Sequence, residues 1–214
     1  MTHRQVALFT TFSATLIAAV SLAWLAIAVS SGGTETFDSA VRLAIHQWAS
    51  PALTTIAQGI TIFGSVAFIA AAFIVAVVAF RIVGWPRAAA RLTWAMAGAV
   101  ILENGLKYGF HRARPEPFFG AAPASYSFPS GHALFSTCFY FVLASVITER
   151  IRSRAMRALI RLAAALFVAA IGLSRIYLGF HYPSDILGGY LAAAILLGAI
   201  MSIERMNEIA KPKA

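Results

Sequence analysis

A chain of 214 residues that is 60% hydrophobic and 12% charged, with a mean hydropathy of +0.78, is too apolar for a water-soluble domain, whose apolar share runs to roughly 45–50%. The formal net charge of +9 does not call for a nucleic-acid partner, because basic clusters such as "ERIRSRAMR" are ordinary anchors beside anionic headgroups. A single cysteine, Cys138, excludes an intramolecular disulfide and reads as a small packing residue.

Runs long enough to cross a bilayer, roughly 17–25 residues each, begin with about Val6 to Ser30. Arg4 ahead of it and the Ala26-Ile27-Ala28 step imitate a secretory signal, but the apolar core outruns the roughly 7–15 residues of a signal h-region. A retained anchor is therefore expected. Next, Ser31 to Gly59 places Phe37, Val41, Ile45 and Trp48 at helical spacing, opposite Asp38, Arg42 and His46. This predicts an amphipathic helix over about 36–60 in the outer interface, with Trp48 at headgroup depth. Simple packing there is the plainer role, and gating lateral entry of a lipid the sharper one.

Further runs lie at about Ile62 to Ile82, Ala88 to Leu106, Gly131 to Thr148, Leu159 to Leu178 and Ile186 to Ile203. The expected fold is all-α: a six-span integral-membrane bundle in one domain, 1–214, with an outer interfacial helix. If the N-terminus is cytoplasmic, that side holds Arg4, Arg81, Arg87, Arg91, Arg150, Arg152, Arg154, Arg157, Arg161, Arg205, Lys211 and Lys213. The other side holds Arg42, Lys107, Arg112, Arg114 and Arg175. Twelve cations against five favour both termini inside.

The unusual polar residues then gather on the outer face. Three segments carry them: "KYGFHRARP" (Lys107–Pro115), "PSGH" (Pro129–His132) and "SRIYLGFHYPSD" (Ser174–Asp185). Singly, each has a plain explanation. Lys107, Arg112 and Arg114 could snorkel at a helix end, His181 and Asp185 could form a polar turn, and Pro-Ser-Gly-His could simply start a helix. Together they supply cations in excess, two histidines, and a carboxylate four positions after one of them. That set suits an oxyanion with several oxygens. Arg offers a planar fork of donors, Lys a compact charge and a helix N-terminus free N–H groups. Histidines supply a nucleophile and a proton carrier.

Lys107 with Arg114-Pro115 after six intervening residues, Pro129-Ser130-Gly131-His132, and Ser174-Arg175 followed by His181 and Asp185 resemble the three motifs of the type 2 phosphatidic acid phosphatase (PAP2) superfamily, which also includes soluble acid phosphatases and vanadium haloperoxidases. The likeness covers Lys107 to Asp185 motif by motif, and the first hundred residues only in layout. It implies a bacterial membrane-integrated lipid phosphatase of the cytoplasmic (inner) membrane, with its site on the outer side and no cofactor or metal. It further implies that His181 is the nucleophile, that Asp185 orients it, and that His132 is general acid and then base. Lys107, Arg114 and Arg175 would clamp the phosphoryl oxygens, with Ser130 and the Gly131 N–H completing the cradle.

Outside the matched positions, Arg112 and His111 are candidates for a diphosphate or headgroup, and a solvated loop is the plain alternative. Glu103 most simply pairs with Lys107 one turn away, with proton handling or a headgroup contact as the sharper role. Tyr177, Tyr182 and Trp48 are expected as interfacial anchors. Rival readings are a metal hydrolase, a haloperoxidase, a lipid phosphotransferase using the same phosphohistidine, and a non-catalytic lipid-phosphate binding or transport protein. The candidate substrates are lipid phosphates of the undecaprenyl diphosphate, phosphatidylglycerophosphate and phosphatidic acid types, offered from the bilayer.

Overall fold

The computed structural model describes residues 2–121 and 123–210, and among these the fold is all-helical, with eight helices and no strand. In chain order they are α1 (His3–Ser30), α2 (Glu35–His46), α3 (Pro51–Ile62), α4 (Val66–Ile82), α5 (Pro86–Phe110), α6 (Gly131–Thr148), α7 (Arg154–Tyr177) and α8 (Pro183–Ala210). Lys211 and Lys213, counted above on the cytoplasmic side, lie outside the described residues.

Four helices, α1, α6, α7 and α8, are long and apolar enough to cross a membrane, and α3 with α4 makes a fifth if that pair, bent by 44°, is one span. The expected third span forms as α5, but Arg91, Glu103 and Asn104 dilute its apolar run. It joins the bundle by packing against α4, α6 and α8.

The single interfacial helix expected over about 36–60 is two helices. Pro51 has no N–H to continue α2, and Ser50 takes an extended conformation and accepts a hydrogen bond from the Leu53 N–H, so a new helix starts there. α2 is also turned differently from the expectation. Its polar stripe faces the protein: Asp38 is fully buried, His46 stacks on Phe118 at 3.9 Å, and the Arg42 guanidinium lies 4.7 Å from the same ring. Phe37, Leu43 and Trp48 are left exposed. The stripe turns inward because its partners are an arginine and a helix end rather than water.

α6 is the central helix. Phe135, Cys138, Phe139, Val142 and Val146 are buried along it against Leu92, Ala95 and Ala99 of α5 and Ala192 and Ala193 of α8. Small residues on the facing helices allow the close approach that association in lipid needs. α1 lies along α8, where Gly198 leaves no room for a Cβ against Thr15. At one end of the bundle Arg91 joins α5 to Glu149 (2.5 Å) and Glu204 (2.8 Å).

At the other end the C-termini of α5 and α7 meet the N-termini of α6 and α8. The Ser130 N–H donates to the Asp185 carbonyl at 3.0 Å, tying α6 to α8. The Phe118 and Phe119 N–H groups donate to the Leu178 carbonyl, tying the long 111–130 connection to the end of α7. Gly179 sustains that crossing: its φ is +81°, and a Cβ would collide with the Phe118 backbone.

Candidate active site

His181 sits in the short turn between α7 and α8 and is 1% exposed. Asp185, one turn into α8, brings Oδ2 to 3.3 Å from His181 Nδ1. Arg114 Nη1 lies 3.0 Å from His181 Nε2, and since an arginine can only donate, Nε2 is the acceptor and Nδ1 carries the proton. The imidazole is thereby fixed in the tautomer that leaves a lone pair at Nε2, on the side of the cations. Burial pushes the His181 pKa down to about 4, against the raising effect of Asp185, so the ring is neutral at neutral pH.

The Asp185 carboxylate is held on both oxygens. Oδ2 accepts from the Tyr182 N–H (2.8 Å) and from Ser127 Oγ (2.5 Å), and Oδ1 accepts from Arg112 Nη1 (2.6 Å). Arg112 is itself shared, since its Nη2 donates to Asp38 Oδ2 at 2.8 Å and to Thr34 Oγ1 at 3.2 Å. Burial opposes its charge, but the carboxylates of Asp185 and Asp38 outweigh burial and raise its pKa above the ordinary arginine value.

The other cations converge from separate segments, Arg114 from the 111–130 connection and Arg175 from α7. Arg114 is braced by the Phe180 carbonyl (2.8 Å), the Ser125 carbonyl (2.7 Å) and Ser125 Oγ (2.9 Å). Arg175, near the end of α7, is 5% exposed, donates to Thr61 Oγ1 at 3.0 Å and lies 4.5 Å from the Phe180 ring. Its Nε has no protein partner, and neither does the fully buried Ser130 Oγ at the start of α6. Buried polar atoms without partners are uncommon, and here two of them occur among the residues expected to cradle an oxyanion.

Gly131 opens α6, and a Cβ on it would collide with the Glu103 carboxylate. That carboxylate also pairs with Lys107 at 2.7 Å. His132 follows on α6, within electrostatic reach of Arg175, His181, Arg114 and Lys107. Its ring lies against Gly64, at the α3–α4 break. A cavity of about 560 Å³ opens beside these groups, lined by Glu103, Lys107, Tyr108, Arg114, Ser125 and Tyr126 among others. Among the described residues, no three His, Cys, Asp or Glu side chains gather as a metal-ligand set.

The three motifs thus meet in one polar cluster, with Arg114 on His181 and Ser130 on Asp185, and comparison with known proteins gives this cluster its family. The PAP2 superfamily model matches residues 88–209. This chain belongs to the PAP2 superfamily. It is a PAP2-type phosphatase. Phosphatidylglycerophosphatase B of Bacillus subtilis is 27% identical over 180 residues, covering 80% of this chain and 85% of that protein. The undecaprenyl-diphosphatase of Sulfolobus acidocaldarius is 29% identical over 119 residues, covering 53% of each. The crystal structure of the transmembrane PAP2-type phosphatidylglycerolphosphate phosphatase from Bacillus subtilis matches with a TM-score of 0.78 at 24% identity, over 94% of this chain and 98% of that one. Aquifex aeolicus LpxE matches with a TM-score of 0.56 at 22% identity, over 78% of this chain and 95% of that one. This PAP2 chain therefore has the membrane form of the fold.

Of the residues singled out in the sequence, His181, Asp185, Arg114 and Arg112 are directly linked, and Lys107, Glu103 and Gly131 form a second cluster. His111 stands apart, at a left-handed turn ending α5 with its ring on Tyr126. Tyr177 is not an interfacial anchor: it is buried, and its hydroxyl meets Thr54 Oγ1 at 2.9 Å, hooking α3 to α7. Tyr182 offers its ring to Arg112 at 4.2 Å. Ser127, Thr61, Thr34, Asp38 and Ser184 bond to the residues of this candidate site and were not singled out as site residues. Ser127 had a usable signal, since it begins the same polar stretch as Ser130.

Proposed function

We propose that this PAP2 chain hydrolyses a lipid phosphate through a phosphohistidine. His181 Nε2 attacks phosphorus, and the N–P bond forms as the lipid P–O bond breaks. His132 gives its proton to the departing lipid oxygen. A water then yields a proton to His132 and attacks phosphorus, the P–N bond breaks and phosphate leaves. Asp185 keeps the Nδ1 proton in place and balances the positive ring, as the carboxylate does in a Ser-His-Asp arrangement. Lys107, Arg114, Arg175, Ser130 and the Gly131 N–H hold the phosphoryl oxygens, with Lys107 exchanging Glu103 for substrate.

The observation that carries this reading is His181 itself, with Nδ1 on Asp185 and Nε2 turned to Arg114 at the cation-lined cavity. A lipid substrate is supported by an apolar cleft of about 280 Å³ that Val66, Ile69, Phe73, Met96 and Phe135 help to line, since Phe135 lies one turn along α6 from His132. We assign phosphatidylglycerophosphate as the first substrate to test, because the relative acting on it aligns along most of this chain, and undecaprenyl diphosphate as the second. The proposed setting is a single domain of six spans in the bacterial inner membrane, counting α5 and the α3–α4 pair. Both termini are cytoplasmic, following the positive-inside count, and the site faces outward.

Purified protein in detergent with a chelator is expected to release phosphate from phosphatidylglycerophosphate faster than from undecaprenyl diphosphate or phosphatidic acid. Loss of all release on chelation would favour the metal hydrolase, and no release from any lipid would overturn hydrolysis. The pH dependence follows from burial of the nucleophile. Protonation of Nε2 blocks attack, so the acid limb of kcat/KM should fall near pH 4, the lowered value of the buried histidine, and not near 6.5. That limb belongs to the His181–Asp185 pair as a unit. A pH–rate profile with its acid limb near 6.5 would mean that the attacking group is a solvated histidine instead.

A further inference from the structure

Asp38 lies outside the three motifs, on α2, yet it is as deeply buried as Asp185. Its Oδ1 accepts from the Ser184 N–H at 2.9 Å, and its Oδ2 accepts from Ser184 Oγ (2.6 Å) and Arg112 Nη2 (2.8 Å). Arg112 Nη1 in turn donates to Ser184 Oγ (2.7 Å) and Asp185 Oδ1 (2.6 Å). One planar guanidinium thus spans two buried carboxylates from α2 and α8, and Ser184, 146 residues from Asp38 in sequence, bonds to both Asp38 and Arg112.

The charges give this arrangement a purpose. Arg112 with Asp185 alone is a neutral pair, and a neutral pair offers little to the positive ring formed when His181 is phosphorylated. With Asp38 present, two carboxylates stand against the two guanidiniums of Arg112 and Arg42, so the Asp185 charge is not cancelled by the arginines beside it. Asp38 also fixes the first turn of α8, where its charge meets the free N–H groups and the positive end of the helix, one residue before Asp185.

We propose that Asp38 is a positioning residue for the phosphatase reaction, holding Asp185 in charge and orientation through Arg112 and Ser184. This rests on the catalytic roles given above to His181 and Asp185. α2 is accordingly part of the site's support, and its Phe37 and Leu43 are left exposed.

Asp38→Asn keeps an acceptor for the Ser184 N–H and removes the charge. It is expected to lower kcat by about 10- to 100-fold, the range typical of outer partners that orient a functional group, with KM changed less than about twofold. The inhibition constant of vanadate, which mimics the phosphoryl transition state, should rise in parallel with the loss in kcat, per folded molecule. Because Asp38 acts in part through Arg112, the loss in the double variant Asp38→Asn with Arg112→Gln should be smaller than the product of the two single losses. Unchanged kcat in Asp38→Asn, or losses that multiply in the double variant, would overturn the proposal. If Asp38→Asn does not fold, Ser184→Ala takes its place: a loss in kcat at constant KM supports the network, and wild-type kcat refutes it. Wild-type protein inactive on every lipid phosphate would instead refute the catalytic reading on which this rests.

Discussion

His181→Ala is expected to abolish phosphate release from lipid, lowering kcat by about 10⁴-fold, the scale seen when a member of a nucleophilic triad is removed. The loss should fall on chemistry and not on binding. Arg114 stays braced by Phe180 and Ser125, and Lys107 and Arg175 are held from α5 and α7, so the cations that meet the phosphate do not depend on the imidazole. Labelled lipid phosphate should therefore still bind the variant in detergent at close to wild-type affinity. The decisive companion measurement is the covalent intermediate. Wild-type protein quenched during turnover should carry an acid-labile, alkali-stable phosphoryl label, and His181→Ala should carry none. Turnover preserved in the variant, or a label that persists in it, would place the nucleophile elsewhere.

The reason such a specific expectation is available is that the chemistry lies in short, ordered motifs. Spacing alone predicts that His181 and Asp185, four apart, can meet, and they do so at 3.3 Å even though His181 precedes α8 instead of lying within it. The apolar runs marked α1, α4, α5 and α6 to within a few residues, but α7 begins earlier than its run and α8 continues beyond it, where charged residues extend the helix past the apolar core.

What was not legible depends on partners distant in the chain. Asp38, Arg42 and His46 form a polar stripe at helical spacing, and such a stripe ordinarily faces water. Nothing local reveals that Arg112 and the α8 N-terminus wait on the other side. The same limit hid Thr61, whose hydroxyl matters only because the break at Phe63–Ser65 brings the end of α3 to Arg175. It also left Arg112 as either a headgroup contact or a solvated loop residue, with no sign that Asp38, Asp185, Ser184 and Thr34 accept from its guanidinium. Periodicity located the helices, but it could not tell whether α2 turned its charged face to solvent or to another buried charge.

His132→Ala should separate the two halves of the reaction. A lipid alkoxide is a poor leaving group and needs a proton as the P–O bond breaks, so release from lipid phosphate is expected to fall by about 10²- to 10⁴-fold. His132 is placed for that task because it enters α6 directly after Gly131, within electrostatic reach of His181 and Arg175. An activated aryl phosphate removes the requirement, since its phenolate departs without help. With such a substrate the variant should still phosphorylate His181, and then stall, because the water that must release the phosphate has lost its base. The expected record is a burst of one phenolate per protein molecule followed by a flat trace, with the label retained on His181. Steady turnover of the aryl phosphate at the wild-type rate would assign the base to another group. No burst at all would mean that His132 is needed for the attack itself, and the division of labour between the two histidines would have to be redrawn.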